Sequence, residues 1–254
     1  MKRIMIAGTN SGCGKTTVTC AVLQALVNRK INVSSFKCGP DYIDPMFHKT
    51  VIGTAAYNLD TYLMSNDAVN YLLNKNSGDI AVIEGVMGFY DGFSFTEKGS
   101  THELSEITDT DVILVVNCRG MSLSAMALVK GFKEFRKNNI KCVIFNNLPE
   151  KLYGNLAEKC RKIGLTPLGF LPNIKDVQIS SRHLGLVTAG EIDGIKDKMN
   201  LLADYAEKYI DIDKILEISE NDRDTKFASP EITKKYNVKI AVAYDRAFCF
   251  YYED

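Results

Sequence analysis

The sequence predicts an α/β fold in which a parallel β-sheet is covered by helices on both faces. Short apolar runs alternate with helical segments along most of the 254 residues. Each run is apolar throughout, which is typical of strands buried on both faces. The glycine-rich stretch GTNSGCGKTT, residues Gly8 to Thr17, separates the first apolar run from the first helix. This strand–loop–helix context is typical of a phosphate-binding loop, and together these observations predict a P-loop NTPase-type sheet.

The stretch from Gly8 to Thr17 has the residue types that phosphate binding needs. Its glycines let several backbone N–H groups point at one anion, and the following helix adds its positive end. Lys15 supplies a charge for the outer phosphates, and the Thr16 hydroxyl can reach a magnesium ion. The leading glycine lies one residue further upstream than usual, and Thr9 occupies the usual glycine position. The alternative interpretation of this stretch is an ordinary glycine-rich turn. We expect ATP contacts from Gly8, Thr9, Asn10, Ser11, Gly12, Cys13, Gly14, Lys15, Thr16 and Thr17.

Six strands and six helices are predicted in chain order. The first helix has Val18, Ala21 and Val22 at helical spacing, and the third strand (DIAVIE) is a continuous apolar run that ends in a carboxylate. The predicted strands are Lys2–Ala7, Val33–Lys37, Asp79–Glu84, Val112–Val116, Cys142–Phe145 and Leu168–Leu171. The predicted helices are Thr16–Asn28, Asn66–Asn74, Ser122–Lys137, Leu152–Ile163, Gly194–Tyr209 and Ile212–Ile218.

Between the second strand and the second helix lies CGPDYIDPMFHKTVIGTAAYNLDTYLM, residues 38–64. It contains two prolines, two glycines and three aspartates, which are Asp41, Asp44 and Asp60. We expect an irregular segment, and loops of this length are usually functional or disordered.

The chain changes character after the sixth strand. SSRHLGLVTAGEI is predicted to be a loop, and residues 220–237 are polar enough to form a linker. Val238 to Ala243 then begins a new apolar strand close to the end of the sequence. We therefore expect one domain at 1–219, a linker at 220–237, and the first strand of a further domain at 238–254.

Composition narrows the function classes. Lys and Arg number 31, as do Asp and Glu, so the formal net charge is zero and no nucleic-acid partner is expected. No apolar run is long enough to span a membrane. The seven cysteines show no CxxC pair and no metal-ligand spacing. They are interpreted as small hydrophobes in a reduced, cytoplasmic setting.

Three loops are expected beyond the carboxyl ends of the strands, where open parallel sheets bind ligands. They are Gly8–Lys15, Cys38–Pro45 and Glu84–Gly92. Glu84 ends a strand and is predicted to bind magnesium directly or through water, the alternative being a solvated acid. An Asp beside Gly or Pro is most often a turn former. Several such acids near Lys15 and Lys37 nevertheless indicate one phosphate site, and they are Asp41, Asp44 and Asp91.

The three histidines lie far apart in the sequence and form no metal pattern. We expect His48 and His102 to be structural or on the surface. His183, beside Arg182 in a loop, is the candidate for contact with an anionic ligand.

Four stretches together resemble the cobyrinate a,c-diamide synthase family, in its N-terminal ATP-dependent synthetase domain. They are GTNSGCGKTT, FKCGPDYIDPMFH, EGVMGFYDG and SRHLGLVTAGE. The terminal IAVAYDRAFCFYYED is similar to the strand that opens the glutamine amidotransferase domain of that family. The resemblance covers essentially the whole chain. The phosphate loop alone would also fit dethiobiotin synthetase, a related fold with the same extended glycine spacing.

The resemblance implies a ligase of cobalamin biosynthesis that uses ATP and Mg²⁺. ATP activates the c and then the a carboxylate of cobyrinate, a tetrapyrrole, as an acyl phosphate. Ammonia, normally obtained from glutamine, displaces the phosphate and gives the amide.

The resemblance also implies roles for individual residues. Lys37 would neutralise the substrate carboxylate or the transferring phosphoryl group, Asp91 would order the intermediate or the ammonia, and Asn146 would contact adenine. The implied metal ligands are Thr16, Asp41 and Glu84. The implied catalytic residues are Lys15, Lys37, Asp41, Tyr42, Asp44, Glu84 and Asp91.

One part of the family pattern is missing. Glutamine hydrolysis needs a cysteine in a tight, glycine-flanked strand-to-helix turn. None of the seven cysteines has glycine two residues before and two after it. We therefore expect this polypeptide to amidate with free ammonia only, or with the missing domain supplied.

Other functions stay open at this point. An ATPase switch of the MinD/ParA type, which positions division or plasmid machinery, shares the fold but has a second lysine where this chain has Asn10. Dethiobiotin synthetase-like carboxylation fits poorly with GPDYIDP and RHLGL. The residues do not distinguish cobyrinate from the nickel tetrapyrrole Ni-sirohydrochlorin. A homodimer is expected by analogy with the fold alone.

Overall fold

The computed structural model describes residues 1–174, 189–220, 237–245, 248–249 and 251–252, with side chains in the longest helix from residue 194 onward. Its strands are β1 Lys2–Gly8, β2 Val33–Cys38, β3 Ala55–Leu59, β4 Ile80–Glu84, β5 Val112–Asn117, β6 Ile140–Asn146 and β7 Thr166–Leu171. Its α-helices are α1 Lys15–Asn28, α2 Ile43–Phe47, α3 Asn66–Asn76, α4 Thr101–Ile107, α5 Ser124–Glu134, α6 Glu150–Lys162, α7 Ala189–Tyr209 and α8 Ile212–Ser219. A π-helical turn, His48–Ile52, follows α2, and a 3₁₀ turn, Phe93–Phe95, precedes α4.

The seven strands form one parallel sheet in the order β3-β2-β4-β1-β5-β6-β7. β1 is central and pairs with β4 on one side and β5 on the other. Successive side chains of β1 lie on opposite faces of the sheet. Ile4 and Ile6 belong to the hydrophobic core on one face, and Met5 and Ala7 belong to the core on the other face. All four are fully buried, as a strand covered on both faces requires. The predicted fold class is confirmed.

A layer of helices covers each face of the sheet. On one face α1 packs against α7, and Val22 and Leu202 lie in the same core. On the other face α3, α4 and α5 contribute Leu73, Leu104 and Val129 to the second core. Full burial of one such side chain contributes about 1.5–3 kcal/mol. The two cores therefore hold the strand ends, and the loops that follow them, in fixed positions.

The prediction of an irregular segment at residues 38–64 is wrong. This segment contains α2, the π-helical turn and β3, and β3 pairs with β2 in parallel register. β3 is an edge strand of five residues in which Ala55 is exposed and Tyr57 is half-buried. A strand this short and only partly apolar gives little periodic signal, so the sequence pattern hid it. Helix α4 was likewise not predicted.

The strand predicted at Val238 to Ala243 does not form in this structure. Residues 237–244 have no regular secondary structure. The side chains of Val238 and Ile240 are 66% and 83% exposed, and none of the described strands pairs with them. The assignment of residues 238–254 to a further domain stays a prediction.

Two predicted connections are only partly described. Helix α7 begins at Ala189, so the end of the predicted loop SSRHLGLVTAGEI is helical. The rest of that loop, His183 and nearly all of the predicted linker at 220–237 lie outside the described residues. None of the helices in the described ranges is long and apolar enough to cross a bilayer.

Candidate active site

The predicted site residues converge at one edge of the sheet, where the carboxyl ends of β1, β2 and β4 meet. In the sheet register, Ile6 of β1 and Lys37 of β2 both lie beside Glu84, the last residue of β4. These neighbours bring the loop after β1 and the segment after β2 to the same carboxylate. Strand register, rather than proximity in the sequence, therefore builds the site.

The phosphate loop connects β1 to α1 and opens to solvent. Gly12 (φ 77°) and Gly14 (φ 99°) adopt left-handed backbone conformations, which only glycine adopts readily. Asn10, Ser11 and Gly12 at the tip are exposed. The tip therefore lies at the N-terminus of α1, where unpaired backbone N–H groups favour an anion.

The Asn146 side chain supports this loop from the end of β6. Its Nδ2 donates to the carbonyl oxygen of Cys13 at 3.0 Å. A Cβ atom added at Gly14 would lie 1.9 Å from the same Nδ2, so this contact requires glycine at position 14. The adenine contact of Asn146 stays a prediction, and support of the loop is a role that the sequence did not suggest.

The Lys15 ammonium lies buried between two loops. Its Nζ donates to the carbonyl oxygens of Asn10 at 3.3 Å and Met87 at 2.5 Å. Burial lowers the pKa of this ammonium, and the negative charge of Glu84 opposes the shift. Lys15 therefore links the phosphate loop to the Glu84–Gly92 loop, and an anion at the loop would give its charge a partner.

The Thr16 hydroxyl is paired with the buried carboxylate of Glu84. Its Oγ1 donates to Oε1 of Glu84 at 2.7 Å, and the Glu84 side chain is 0% exposed. Thr16 is in the first turn of α1, so the helix carries the hydroxyl to the carboxylate at the end of the adjacent strand β4. Two of the three residues predicted to bind magnesium are thus in direct contact.

Lys37 is the positive centre of the site. Its Nζ lies 2.5 Å from Oδ2 of Asp44, 3.1 Å from Oε1 of Glu84 and 3.6 Å from Oδ2 of Asp41. Burial alone would lower the pKa of this ammonium, but the three carboxylates together raise it well above the usual range. Lys37 is therefore a permanent cation that offsets part of the negative charge of the acids around it.

The segment after β2 supplies two acids and one phenol. Asp41 Oδ1 accepts from the backbone N–H of Ile43 at 2.9 Å, which fixes the start of α2. Asp44 is buried, and burial followed by the charge of Glu84 raises the pKa of its carboxyl. The ring of Tyr42 stacks on that of Tyr252 with centroids 5.1 Å apart.

Asp91 lies in the Glu84–Gly92 loop rather than in the Lys37 cluster. Its Oδ2 accepts from the backbone N–H of Gly88 at 3.0 Å, and its side chain is exposed. The loop is tied to the end of β1, because Phe89 N–H donates to the carbonyl oxygen of Gly8 at 2.8 Å. Asp91 is therefore beside the phosphate loop and open to solvent.

Sequence reasoning missed two residues of the site, Ser35 and His48. His48 is not on the surface: its side chain is 0% exposed, and its Nε2 lies 3.6 Å from Oε2 of Glu84. Its Nδ1 lies 2.7 Å from Oγ of Ser35. Burial lowers the pKa of His48 to about 4, so the imidazole is neutral near pH 7. Ser35 lies two residues before Lys37 in β2 and so on the same face of the sheet, which was the signal that could have found Ser35.

Thr16 and Glu84 fit a magnesium ion that also binds nucleotide phosphates. Such an ion takes few protein oxygens and completes its shell with phosphates and water. Glu84 Oε2 is buried and has no hydrogen-bond partner among the described residues, so it has unused acceptor capacity. In the same residues, no three His, Cys, Asp or Glu side chains form a metal site by themselves. Asp41 contacts Lys37, and its predicted role as a metal ligand stays a prediction.

Solved structures show the same fold at low sequence identity. Chloroplast FtsY from Physcomitrella patens matches with a TM-score of 0.51 and 13% identity, over 78% of this chain and 65% of that chain. MinD in the MinC:MinD cell division protein complex of Aquifex aeolicus matches with a TM-score of 0.50 and 14% identity, over 86% of this chain and 94% of that chain.

Curated relatives are similar along the whole chain. The cobyrinate a,c-diamide synthase of Thermoplasma volcanium is 43% identical over 99% of this chain and 56% of its own length. The enzymes of the same name from Methanocaldococcus jannaschii and Clostridium acetobutylicum are 42% and 40% identical, over 100% of this chain and 59% of their lengths. The chain thus spans less than two thirds of these relatives.

A family model described as the CobQ/CobB/MinD/ParA nucleotide binding domain matches residues 4–187. The match includes the phosphate loop, the Lys37 cluster and Glu84. The resemblance to cobyrinate a,c-diamide synthases that four motifs predicted is confirmed by the relatives. The chain therefore belongs to the family of CobQ/CobB/MinD/ParA nucleotide-binding domains.

Proposed function

We propose that this chain is the ATP-dependent synthetase part of an enzyme that amidates the a and c carboxylates of cobyrinate. The observation that carries the proposal is the meeting of Thr16, Lys37 and Glu84 next to the phosphate loop, with Oε1 of Glu84 2.7 Å from Thr16 and 3.1 Å from Lys37. Relatives named for this reaction are 35–43% identical over at least 99% of the chain, which supports the choice of substrate.

The proposed reaction has two steps. A carboxylate oxygen of the tetrapyrrole attacks the γ-phosphorus of ATP, the bond to the ADP oxygen breaks, and an acyl phosphate forms. Ammonia then attacks the acyl carbon, phosphate leaves with the oxygen that made the attack, and the nitrogen releases a proton to give the amide. Both steps move negative charge, so they depend on positioning and on charge neutralisation.

The phosphate loop and Lys15 hold ATP in this proposal. Backbone N–H groups of the loop donate to phosphate oxygens, as at other helix N-termini. When ATP binds, the Lys15 ammonium leaves the carbonyl oxygens of Asn10 and Met87 and contacts the outer phosphates instead. Magnesium, held by Thr16 and Glu84, supplies further neutralisation of the phosphate charge when it is bound.

Lys37 prepares the site for a second carboxylate, that of the tetrapyrrole. Its charge offsets part of the negative charge of Glu84 and Asp44, which reduces their repulsion of an incoming anion. The substrate carboxylate reaches Lys37 by displacing Asp41, which makes the longest of the three contacts, at 3.6 Å, and is itself 34% exposed. Once released, Asp41 lies beside the reacting carbon and can accept the proton that the attacking ammonia loses.

Asp91 orders the second step in this proposal. Its carboxylate is exposed beside the phosphate loop. A carboxylate there attracts ammonium and accepts hydrogen bonds from ammonia before attack. In this proposal the enzyme of which the chain is part normally obtains the ammonia from glutamine.

The test is ATP hydrolysis with magnesium and ammonium chloride, with and without cobyrinate, together with the mass of the product. The proposal expects phosphate release that depends on cobyrinate and a product lighter by about one mass unit per carboxylate converted. Hydrolysis that is independent of cobyrinate and leaves its mass unchanged would contradict the proposal and favour an ATPase switch.

A further inference from the structure

Two buried polar atoms of the candidate active site lie close to each other. Nε2 of His48 and Oε2 of Glu84 are 3.6 Å apart, and both side chains are 0% exposed. Neither atom has a hydrogen-bond partner among the described residues. A donor and an acceptor that are shielded from water are unfavourable when left unpaired, so each is the natural partner of the other.

The other side of the imidazole fixes which nitrogen carries the proton. Nδ1 of His48 lies 2.7 Å from Oγ of Ser35. Ser35 is on β2 two residues before Lys37, so both side chains project from the same face of the sheet. When the Ser35 hydroxyl donates to Nδ1, the proton of the neutral ring is on Nε2, directed at Glu84.

The carboxylate of Glu84 needs a partner on this side. Its Oε1 receives the Thr16 hydroxyl at 2.7 Å and the Lys37 ammonium at 3.1 Å, whereas no described residue donates to Oε2. The terminal torsion of a Glu side chain is broad. Without a donor at Oε2, only the contacts of Oε1 with Thr16 and Lys37 restrain the rotation of the carboxylate plane.

We propose that His48 is a positioning residue for Glu84, which donates Nε2–H to Oε2 and so holds Oε1 against Thr16. A closure of about 0.7 Å brings the observed separation to ordinary hydrogen-bond length. The π-helical turn that begins at His48 places the ring, and such turns are frequent at functional sites. The inference rests on the proposed Mg²⁺ and ATP site.

The test measures ATP affinity of the full chain by calorimetry, with and without Mg²⁺. The variants are His48→Leu, which removes both nitrogens, His48→Gln, which keeps a donor near the position of Nε2, and Ser35→Ala. The matched control is Asn70→Leu, because Asn70 on α3 is also buried and donates to the carbonyl oxygens of Asn66 and Ile107, outside the site. Thermal unfolding of each variant reports whether it folds.

The wild type is expected to bind ATP more tightly with Mg²⁺ than without it. His48→Leu is expected to lose about tenfold or more of that gain and to keep its affinity without Mg²⁺. His48→Gln retains most of the gain, Ser35→Ala loses part of it, and Asn70→Leu behaves as the wild type. If His48→Leu does not fold, the Mg²⁺-dependent gains of His48→Gln and Ser35→Ala test the role of His48 instead.

Three outcomes overturn the inference in distinguishable ways. A wild type with no Mg²⁺-dependent gain removes the proposed metal site and the role of His48 together. A normal gain in His48→Leu, or in Ser35→Ala where that variant decides, leaves the metal site standing and refutes the positioning role. An equal loss in Asn70→Leu shows that the effect is one of general stability.

Discussion

The Thr16 hydroxyl donates to Oε1 of Glu84 at 2.7 Å, joining the first turn of α1 to the end of β4 across 68 residues of sequence. The contact depends on two features of the fold. The phosphate loop places Thr16 at the helix start, and the sheet register places Glu84 beside β1. Lys37 of β2 contacts the same oxygen from the other side at 3.1 Å. The proposed magnesium site is centred on this shared carboxylate.

Loss of either partner of that contact should abolish turnover. Thr16→Ala and Glu84→Gln are each expected to lower the rate of ATP-dependent amidation by about 100-fold or more, because charge on the transferring phosphoryl group is no longer neutralised. Glu158→Gln, at an exposed position on α6, is the control and should keep the wild-type rate. Steady-state phosphate release with cobyrinate and ammonium measures the effect, and a Glu84→Gln enzyme of normal rate would refute the assignment.

Removal of Lys37 should lower the free energy of unfolding as well as the activity. Lys37→Met leaves the buried carboxylates of Asp44 and Glu84 without their counter-ion, which costs about 3–5 kcal/mol of unfolding free energy at neutral pH. Lys162→Met, which breaks an exposed ion pair with Glu158, should change stability by less than about 1 kcal/mol. Urea denaturation at pH 7 provides both numbers.

The deficit in unfolding free energy of Lys37→Met relative to wild type should also depend on pH. Burial already raises the pKa of Asp44, and the charge of Lys37 opposes that rise, so the pKa of Asp44 is higher still in the variant. A folded-state pKa above the unfolded value gives stability at low pH that is lost as pH rises through the folded value. The deficit relative to wild type is therefore smaller at pH 4.5 than at pH 7, and equal deficits at the two pH values would contradict this explanation.

Asn146→Ala separates support of the loop from recognition of adenine. The hydrogen bond from Nδ2 to Cys13 contributes about 1 kcal/mol, or about fivefold in nucleotide affinity, if its loss loosens the loop. Loop support predicts that ATP and GTP affinities fall by the same factor. An adenine contact predicts that the ATP affinity falls and the GTP affinity does not. Equilibrium titration with both nucleotides distinguishes the two.

Free ammonia, and not glutamine, should supply nitrogen to this 254-residue chain. The thiolate is the reactive form of cysteine, and burial raises the pKa of Cys38, Cys118 and Cys142 to about 12. None of the seven cysteines has glycine two residues before and two after it, as the turn around a glutamine-hydrolysing cysteine requires, so amidation should proceed with ammonium chloride and fail with glutamine alone. Release of glutamate from glutamine by the purified chain, measured with glutamate dehydrogenase, would show the expectation to be wrong.

The sequence was sufficient for the fold class and for most of the site because both depend on strong local signals. The phosphate loop is a contiguous motif, and the buried strands are continuous apolar runs. Glu84 could be identified as a candidate magnesium ligand because it is a charged residue at the end of such an apolar run. The meeting of Lys37, Glu84 and Thr16 followed from the rule that ligands bind at the carboxyl ends of parallel strands.

The remainder depended on tertiary contacts that have no local signature. β3 is a five-residue edge strand whose pairing with β2 is visible only in the sheet. His48 was missed because its partners, Ser35 and Glu84, lie 13 and 36 residues away in the chain. The strand predicted at Val238 to Ala243 had the right composition but has no neighbour among the described strands, and hydrogen bonding to a neighbour is what makes a strand.

The most direct measurement uses cobyrinate labelled with ¹⁸O in its carboxylates, converted with ATP, magnesium and ammonium chloride. If an acyl phosphate forms, the carboxylate oxygen that attacks the γ-phosphorus leaves with the phosphate. Mass spectrometry should therefore find one ¹⁸O atom in the inorganic phosphate for each amide formed. Amide formation with unlabelled phosphate, or labelled substrate recovered unchanged while ATP is hydrolysed, would contradict the proposed mechanism.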